Sequence, residues 1–244
     1  MPWIEQDLTL PLEYSRLPEH VDAIFHLAQS RLYKRFPEGA KDVFDINVNS
    51  TFELLEYARK TGVQYFAFAS SGGVYGYNYQ KFAETEPVSP LDFYLSSKHT
   101  AEILNANYRK FFRTVIFRFF FVYGPGPEGL LIPTLLKKVL NGEPITIEGN
   151  PGLRINPIYV EDAVRVFESA LYLRTSDLFN IAGDENLTIT DLVKLMENIV
   201  GKKAIVKHTD HNPQHDLIGD NTRMKEVLGV YPKTSLLEGL SHML

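Results

Sequence analysis

Residues 63–76 constrain this chain more than any other stretch. Val63-Gln64-Tyr65-Phe66-Ala67-Phe68-Ala69 is a short, nearly unbroken apolar run that stops at Ser70-Ser71-Gly72-Gly73-Val74-Tyr75-Gly76. A run of that length suits a strand buried on both faces of a parallel sheet. A loop closing with Pro87 and Pro90 follows, and a helical pattern then runs from Tyr94 to about Phe112, ahead of another strand-like run at 114–120. The same alternation comes earlier. An apolar run at 22–28 is followed by Val43, Phe44, Ile46, Val48, Phe52, Leu54, Leu55 and Ala58 at helical spacing, with Gly62 as the stop. Regular alternation of strand and helix predicts a doubly wound α/β fold with a parallel sheet.

The turn and the second helix carry the chemistry. Residues four apart share a helix face, so Tyr94 and Lys98 point at one spot, which a loop from the strand end lets Ser71 reach. Free tyrosine titrates near pH ~10, and lowering that by ~3 units takes roughly 4 kcal/mol. One ammonium at ~4 Å supplies about that much at an effective dielectric of ~20. Lys98 is therefore expected to tune Tyr94 into a general base for a sugar or alcohol hydroxyl, with Ser71 holding the reacting oxygen. Spacing alone does not select this pair, because Tyr77 and Lys81 share it, in a stretch that reads as loop. The succession strand, serine turn, loop, helix selects Tyr94.

Composition removes whole classes of function. The 244 residues are 44% apolar and 23% charged, which suits an ordinary globular chain of one or two domains. A net charge of -5 without a long basic run argues against a nucleic-acid or membrane partner. The chain has no cysteine, so disulfides, thiolate metal sites and a cysteine nucleophile are excluded. No apolar run approaches the ~18 residues of a membrane span, and the opening residues show no signal-peptide pattern. A cytoplasmic protein is the expectation. His208, His211, His215 and Asp216 are irregularly spaced and read as a polar loop, with no metal expected.

Further segments follow in order: Phe25-His26-Leu27-Ala28, Asn47-Val48-Asn49-Ser50-Thr51, Arg118-Phe119-Phe120-Phe121-Val122-Tyr123-Gly124-Pro125-Gly126, and Arg154…Tyr159-Val160-Glu161-Asp162. Together with the serine turn and Tyr94-x-x-x-Lys98 they resemble the extended short-chain dehydrogenase/reductase family, the nucleotide-sugar epimerases and dehydratases. The resemblance spans nearly the whole chain. It implies a Rossmann-type doubly wound sheet with a smaller C-terminal α/β substrate domain. The cofactor-binding part would cover 1–125, with about 155–182 threading back into it, and the substrate part 126–244. NAD rather than NADP is the implied cofactor and a nucleotide sugar the implied substrate. A homodimer would form through helices at about 41–60 and 94–112, with Ala101 on the outward face.

By the same resemblance Ser71, Tyr94 and Lys98 are catalytic. Asp7 and Leu8, ending an opening strand at 3–8, would meet the cofactor, as would Leu27, Ala28, Asn49, Ser70, Tyr94, Lys98 and Phe119. The helical pattern buries Asn49. Ser71, Phe121, Leu131 and Arg154 would meet the substrate, Arg154 offering a diphosphate paired donors in a fixed fork. Phe121 stands where the family usually has asparagine or threonine. His26 reads as a packed, hydrogen-bonded strand histidine without a catalytic role.

One departure matters. No early Gly-rich turn of the Gly-x-Gly-x-x-Gly type is read as opening a helix, and the nearest Gly cluster, Gly124 to Gly129, is full of prolines and lies late in the chain. The expectation is a sheet lacking the family's first β-α-β unit, an apolar edge at 24–28, and reduced affinity for NAD. Family dehydratases place an acid directly after the catalytic serine or threonine, where this chain has Gly72 and Gly73, so an epimerase is preferred. A dehydratase or reductase stays open, and a truncated paralogue that only binds a sugar nucleotide is the alternative.

Overall fold

The alternation read from the sequence organises the chain from Ala23 onward. The computed structural model describes residues 3–78, 80–126, 129–210 and 216–244. Chain order begins with β1 (Ala23–His26), α1 (Ala40–Phe44), a π-helical segment (Asp45–Asn49), α2 (Ser50–Thr61) and β2 (Tyr65–Ser71). A 3-10 turn (Gly72–Tyr75), α3 (Phe93–Tyr108), β3 (Arg113–Phe119) and β4 (Val122–Tyr123) follow. Next come α4 (Leu131–Asn141), β5 (Pro144–Glu148), β6 (Arg154–Ile155), β7 (Ile158–Tyr159), α5 (Val160–Ala170) and β8 (Asp177–Ile181). The chain closes with β9 (Leu187–Thr188), α6 (Ile189–Val200), β10 (Ile205–Thr209), α7 (Thr222–Leu228) and α8 (Leu236–Ser241).

The main sheet has the order β1-β2-β3-β8. β1 and β2 are parallel, with Ala23 opposite Tyr65 and His26 opposite Phe68, and the helical passage through α2 makes the crossover that parallel neighbours require. Gly62 ends α2 in the left-handed region, at φ 73°, where a residue without Cβ is unstrained. Asp92 starts α3 by accepting a hydrogen bond from the Leu95 amide at 2.7 Å, which fixes the first turn, where Tyr94 sits.

The chain packs as two compact units. The first comprises 1–76, 87–118 and 170–179, and the second 77–86, 119–169 and 180–244. The first unit's core joins Leu55 and Ala58 of α2, Phe66 and Phe68 of β2, Ala101 of α3, and Val63, Phe112 and Ile116. The second has its own core, built from α4, β5 and α6 around Leu136, Val139, Ile145, Ile147, Leu192 and Met196. No helix among the described residues is long and apolar enough to cross a membrane.

Several expectations need correction. The opening strand at 3–8 does not form. Asp7 Oδ1 instead accepts from the Thr9 amide at 2.9 Å and the Thr9 hydroxyl at 2.8 Å, a local turn that competes with extended pairing. The segment then lies along α2, with Leu12 N donating to Glu53 Oε2 at 2.7 Å and Tyr14 stacked on Tyr57. β6 and β7 are two short strands separated by Asn156-Pro157. Ala101 does not face outward but is fully buried, whereas Ile103 is exposed.

Candidate active site

Ser71 ends β2 and Tyr94 and Lys98 begin α3, so one strand end and one helix start position all three. Ser71 also caps the 3-10 turn, its Oγ accepting from the Gly73 amide at 3.2 Å. That turn packs tightly on α3, because a Cβ on Gly73 would lie 2.7 Å from Leu95 Cδ2. Gly76 closes it at φ 79°. Ser71 is near enough to the Tyr94 phenol to favour its charged form, and Tyr94 Oη donates to Gln29 Oε1 at 2.9 Å. Lys98 is buried, with its Nζ donating to the Ala69 carbonyl at 2.9 Å and lying 5.1 Å from the Phe68 ring centre.

The electrostatics differ from the expected tuning. Burial pushes the Tyr94 phenol above its ordinary value, Tyr33 and Asp92 add to this, and Ser71 opposes it. Lys98 is not among the groups acting on the phenol. Its ammonium is turned to Ala69, and burial lowers it to about 7 against the upward pull of Glu102. His26 is packed as expected: it is buried, shares a 2.9 Å hydrogen bond with Thr51 Oγ1, and is lowered to about 3 by burial and by Lys98.

Other residues expected at the site are placed variously. Leu27 and Ala28 follow the end of β1, and Leu27 is exposed. Asp7 is exposed and Leu8 half-buried in the opening segment. Asn49 is only half-buried, and the fully buried asparagine is Asn47. Asn47 accepts from the Ser30 amide at 3.1 Å and donates to Ser97 Oγ at 2.9 Å. A π-helical segment advances its residues less per turn than a regular helix, which moves the inward face away from the position that a 3.6-residue count predicts. The hydroxyl of Ser70, expected at the cofactor, is committed to Glu102 Oε1 at 2.5 Å.

Phe119, Phe121, Leu131 and Arg154 belong to the second unit. Phe119 packs on Phe167, and Phe121 and Leu131 pack against the second core. Phe121 holds φ 50°, a conformation that asparagine tolerates better than phenylalanine. Arg154 is exposed on β6, without an ion pair among the described residues. His208 is bonded to the Gly149 carbonyl, and His211 and His215 lie outside the described residues. Among the described residues no group of three His, Cys, Asp or Glu could hold a metal ion.

Sequence reading missed Gln29, Asn47 and the pair Glu102–Arg118. Glu102 had a visible signal, since it continues the stride of four from Tyr94 and Lys98. Gln29 had none, because only the fold brings it to the phenol.

Comparison with known proteins places the chain in a family. Residues 2–182 match the NAD dependent epimerase/dehydratase family. An uncharacterized UDP-glucose epimerase, YtcB of Bacillus subtilis, is 32% identical over 98% of this chain and 78% of its own length. UDP-glucuronate 4-epimerase of Thermodesulfobacterium geofontis is 27% identical over 90% of this chain and 70% of its own. Among solved structures, the UDP-glucuronic acid 4-epimerase of Bacillus cereus in complex with UDP-glucuronic acid and NAD superposes with a TM-score of 0.88. It is 27% identical, and the match covers 97% of this chain and 78% of that one.

Proposed function

This chain belongs to the NAD dependent epimerase/dehydratase family, and on that premise we propose that it is an NAD-dependent nucleotide-sugar epimerase. The observation that carries the reading is the convergence of Ser71, Tyr94 and Lys98 where β2 ends and α3 begins. Relatives and solved neighbours named for UDP-sugar epimerases and holding NAD support it.

The donor set fits the reacting end of NAD. Lys98 spends one of its three N–H donors on Ala69 and keeps two for ribose hydroxyls, beside the Tyr94 hydroxyl. For the diphosphate the sequence offers one Gly-x-Gly-x-x-Gly string, Gly124 to Gly129, which carries two prolines and lies late in the chain. The chemistry that NAD supplies when bound is reversible hydride acceptance. Tyr94 Oη holds and moves the proton of a sugar hydroxyl, and Ser71 Oγ orients that oxygen. Lys98, one turn along the same face, is assigned to the ribose hydroxyls rather than to the phenolate. Arg154 of the second unit is assigned to the diphosphate of the nucleotide sugar.

Gly72 and Gly73 favour epimerisation over dehydration. Neither transfers a proton, and a side chain at Gly73 would have to displace the Leu95 side chain. A homodimer is assigned to the outer faces of α2 and α3, where Phe52 and Ile103 are 44% and 52% exposed. Ile103→Glu should therefore shift the dimer toward monomer in analytical ultracentrifugation, and an unchanged dimer would place the interface elsewhere.

The central test supplies NAD with UDP-glucose or UDP-glucuronic acid and looks for the epimeric sugar. Tyr94→Phe should lower kcat by roughly 10²–10⁴ while substrate binding holds. A Phe variant working at the parental rate removes Tyr94 from the mechanism. Sugar-nucleotide binding without turnover would favour the second reading, a binding protein.

A further inference from the structure

Glu102 lies on α3 one turn beyond Lys98 and two beyond Tyr94, on the same face. It is 4% exposed. Its Oε1 accepts from Ser70 Oγ at 2.5 Å and from Arg118 Nε at 2.9 Å, and its Oε2 accepts from Arg118 Nη2 at 2.6 Å. Arg118, on β3 and equally buried, lies 4.5 Å over the centre of the Tyr75 ring. Ser70 and Tyr75 flank the turn that starts from Ser71. One carboxylate thus grips that turn at both ends, directly at Ser70 and through Arg118 at Tyr75.

A buried ion pair is a poor source of stability, because desolvation offsets the attraction and an apolar pair of similar volume serves as well. What it supplies is geometry: a two-point fork with fixed angle and distance. We infer that Glu102, held by Arg118, is a positioning residue that sets the Ser71 turn against the Tyr94–Lys98 face and places a fixed negative charge one turn from Lys98. The inference rests on the reading of Ser71, Tyr94 and Lys98 as the reacting centre.

The neighbouring charges fit this role. His26 of β1 faces Lys98 and burial holds it neutral, while Tyr94 and Glu102 flank Lys98 on its own helix. Arg118 of β3 and His99 of α3 face Glu102, His99 at 3.5 Å, and Tyr75 of the turn lies under Arg118. The π-helical segment meets α3 at Ser97 with the uncharged Asn47. Glu102 is the carboxylate that opposes the effect of burial on Lys98.

Two variants test this. Glu102→Gln keeps the shape and removes the charge. The double variant Glu102→Leu with Arg118→Met replaces the pair by apolar volume. Thermal melting of each checks folding, and nitrogen-15 NMR follows the titration of Lys98, assigned with Lys98→Arg. Glu102→Gln should lower the Lys98 midpoint by roughly one unit or more. The double variant should melt near the parental temperature yet lose roughly 10²-fold in kcat, with KM little changed. An unmoved Lys98 midpoint in Glu102→Gln, or full kcat in the double variant, overturns the inference. A parental chain without turnover refutes the reading of function instead, and the Lys98 titration still decides whether Glu102 acts on that lysine.

Discussion

The two ends of the first unit's sheet region are built to opposite standards. Where β2 runs into the serine turn, polar groups are tightly partnered: Ser70 with Glu102, Glu102 with Arg118, Lys98 with Ala69, Asn47 with Ser30 and Ser97. At β1, the outermost strand, Phe25 and Leu27 are 38% and 54% exposed, and the opening segment packs on α2 rather than pairing with the edge. An apolar strand edge without a charge or proline on it is a surface that natural sheets avoid leaving open. The comparison teaches that the geometry of the reacting centre is locked by bonds within the chain. The neighbouring face, by contrast, offers apolar surface and few directed donors.

Binding of NAD breaks or sharpens this contrast most. If the partnered corner alone holds the cofactor, at least two charge-assisted bonds to the diphosphate are forgone. Each is worth ~1.5–3 kcal/mol, so affinity should fall by two to four orders of magnitude. A titration giving low micromolar affinity or tighter would show that the open side binds as well as the closed one.

The next effect is local to the corner. Gly73→Ala adds a Cβ against Leu95 and should cost roughly 1–3 kcal/mol of stability as overpacking does. The same size of change at exposed Leu27 should stay within about 0.5 kcal/mol. Equal losses at both positions in urea melts would erase the distinction.

A smaller effect concerns the charge buried at the corner. Lys98 is lowered from 10.5 to about 7 and His26 from 6.5 to about 3, both first by burial. Between each pair of values the unfolded chain binds more protons, so stability should rise with pH from 3 to 6.5 and again from 7 to 10.5. The cost of the buried ammonium is complete below about pH 7. Above pH 10 the raised phenols of Tyr65, Tyr94 and Tyr123 reverse the trend. Lys98→Met should therefore gain roughly 1 kcal/mol at neutral pH and flatten the upper slope. A parental slope retained in the variant would mean that another group carries it.

The sequence by itself determined the strand-helix alternation from Ala23 onward, the parallel neighbours β1 and β2, and the placing of Ser71 at a strand end with Tyr94 and Lys98 on one helix. These rest on local periods and spacings that a linear reading can count: an apolar run, a stride of four, a glycine after a helix. Tertiary structure alone decided which asparagine is inward, because a π-helical segment shifts the face and leaves Asn47 rather than Asn49 buried. It also decided that residues 3–8 form no strand, since a strand exists only through its neighbour and the local Asp7–Thr9 turn needs none. The protonation of the centre was beyond the sequence for a like reason. Spacing put a lysine near a tyrosine, but packing chose the Ala69 carbonyl for the ammonium and Gln29 for the phenol, and buried the ammonium. Electrostatics depends on distance and exclusion of water, and both are properties of the folded chain.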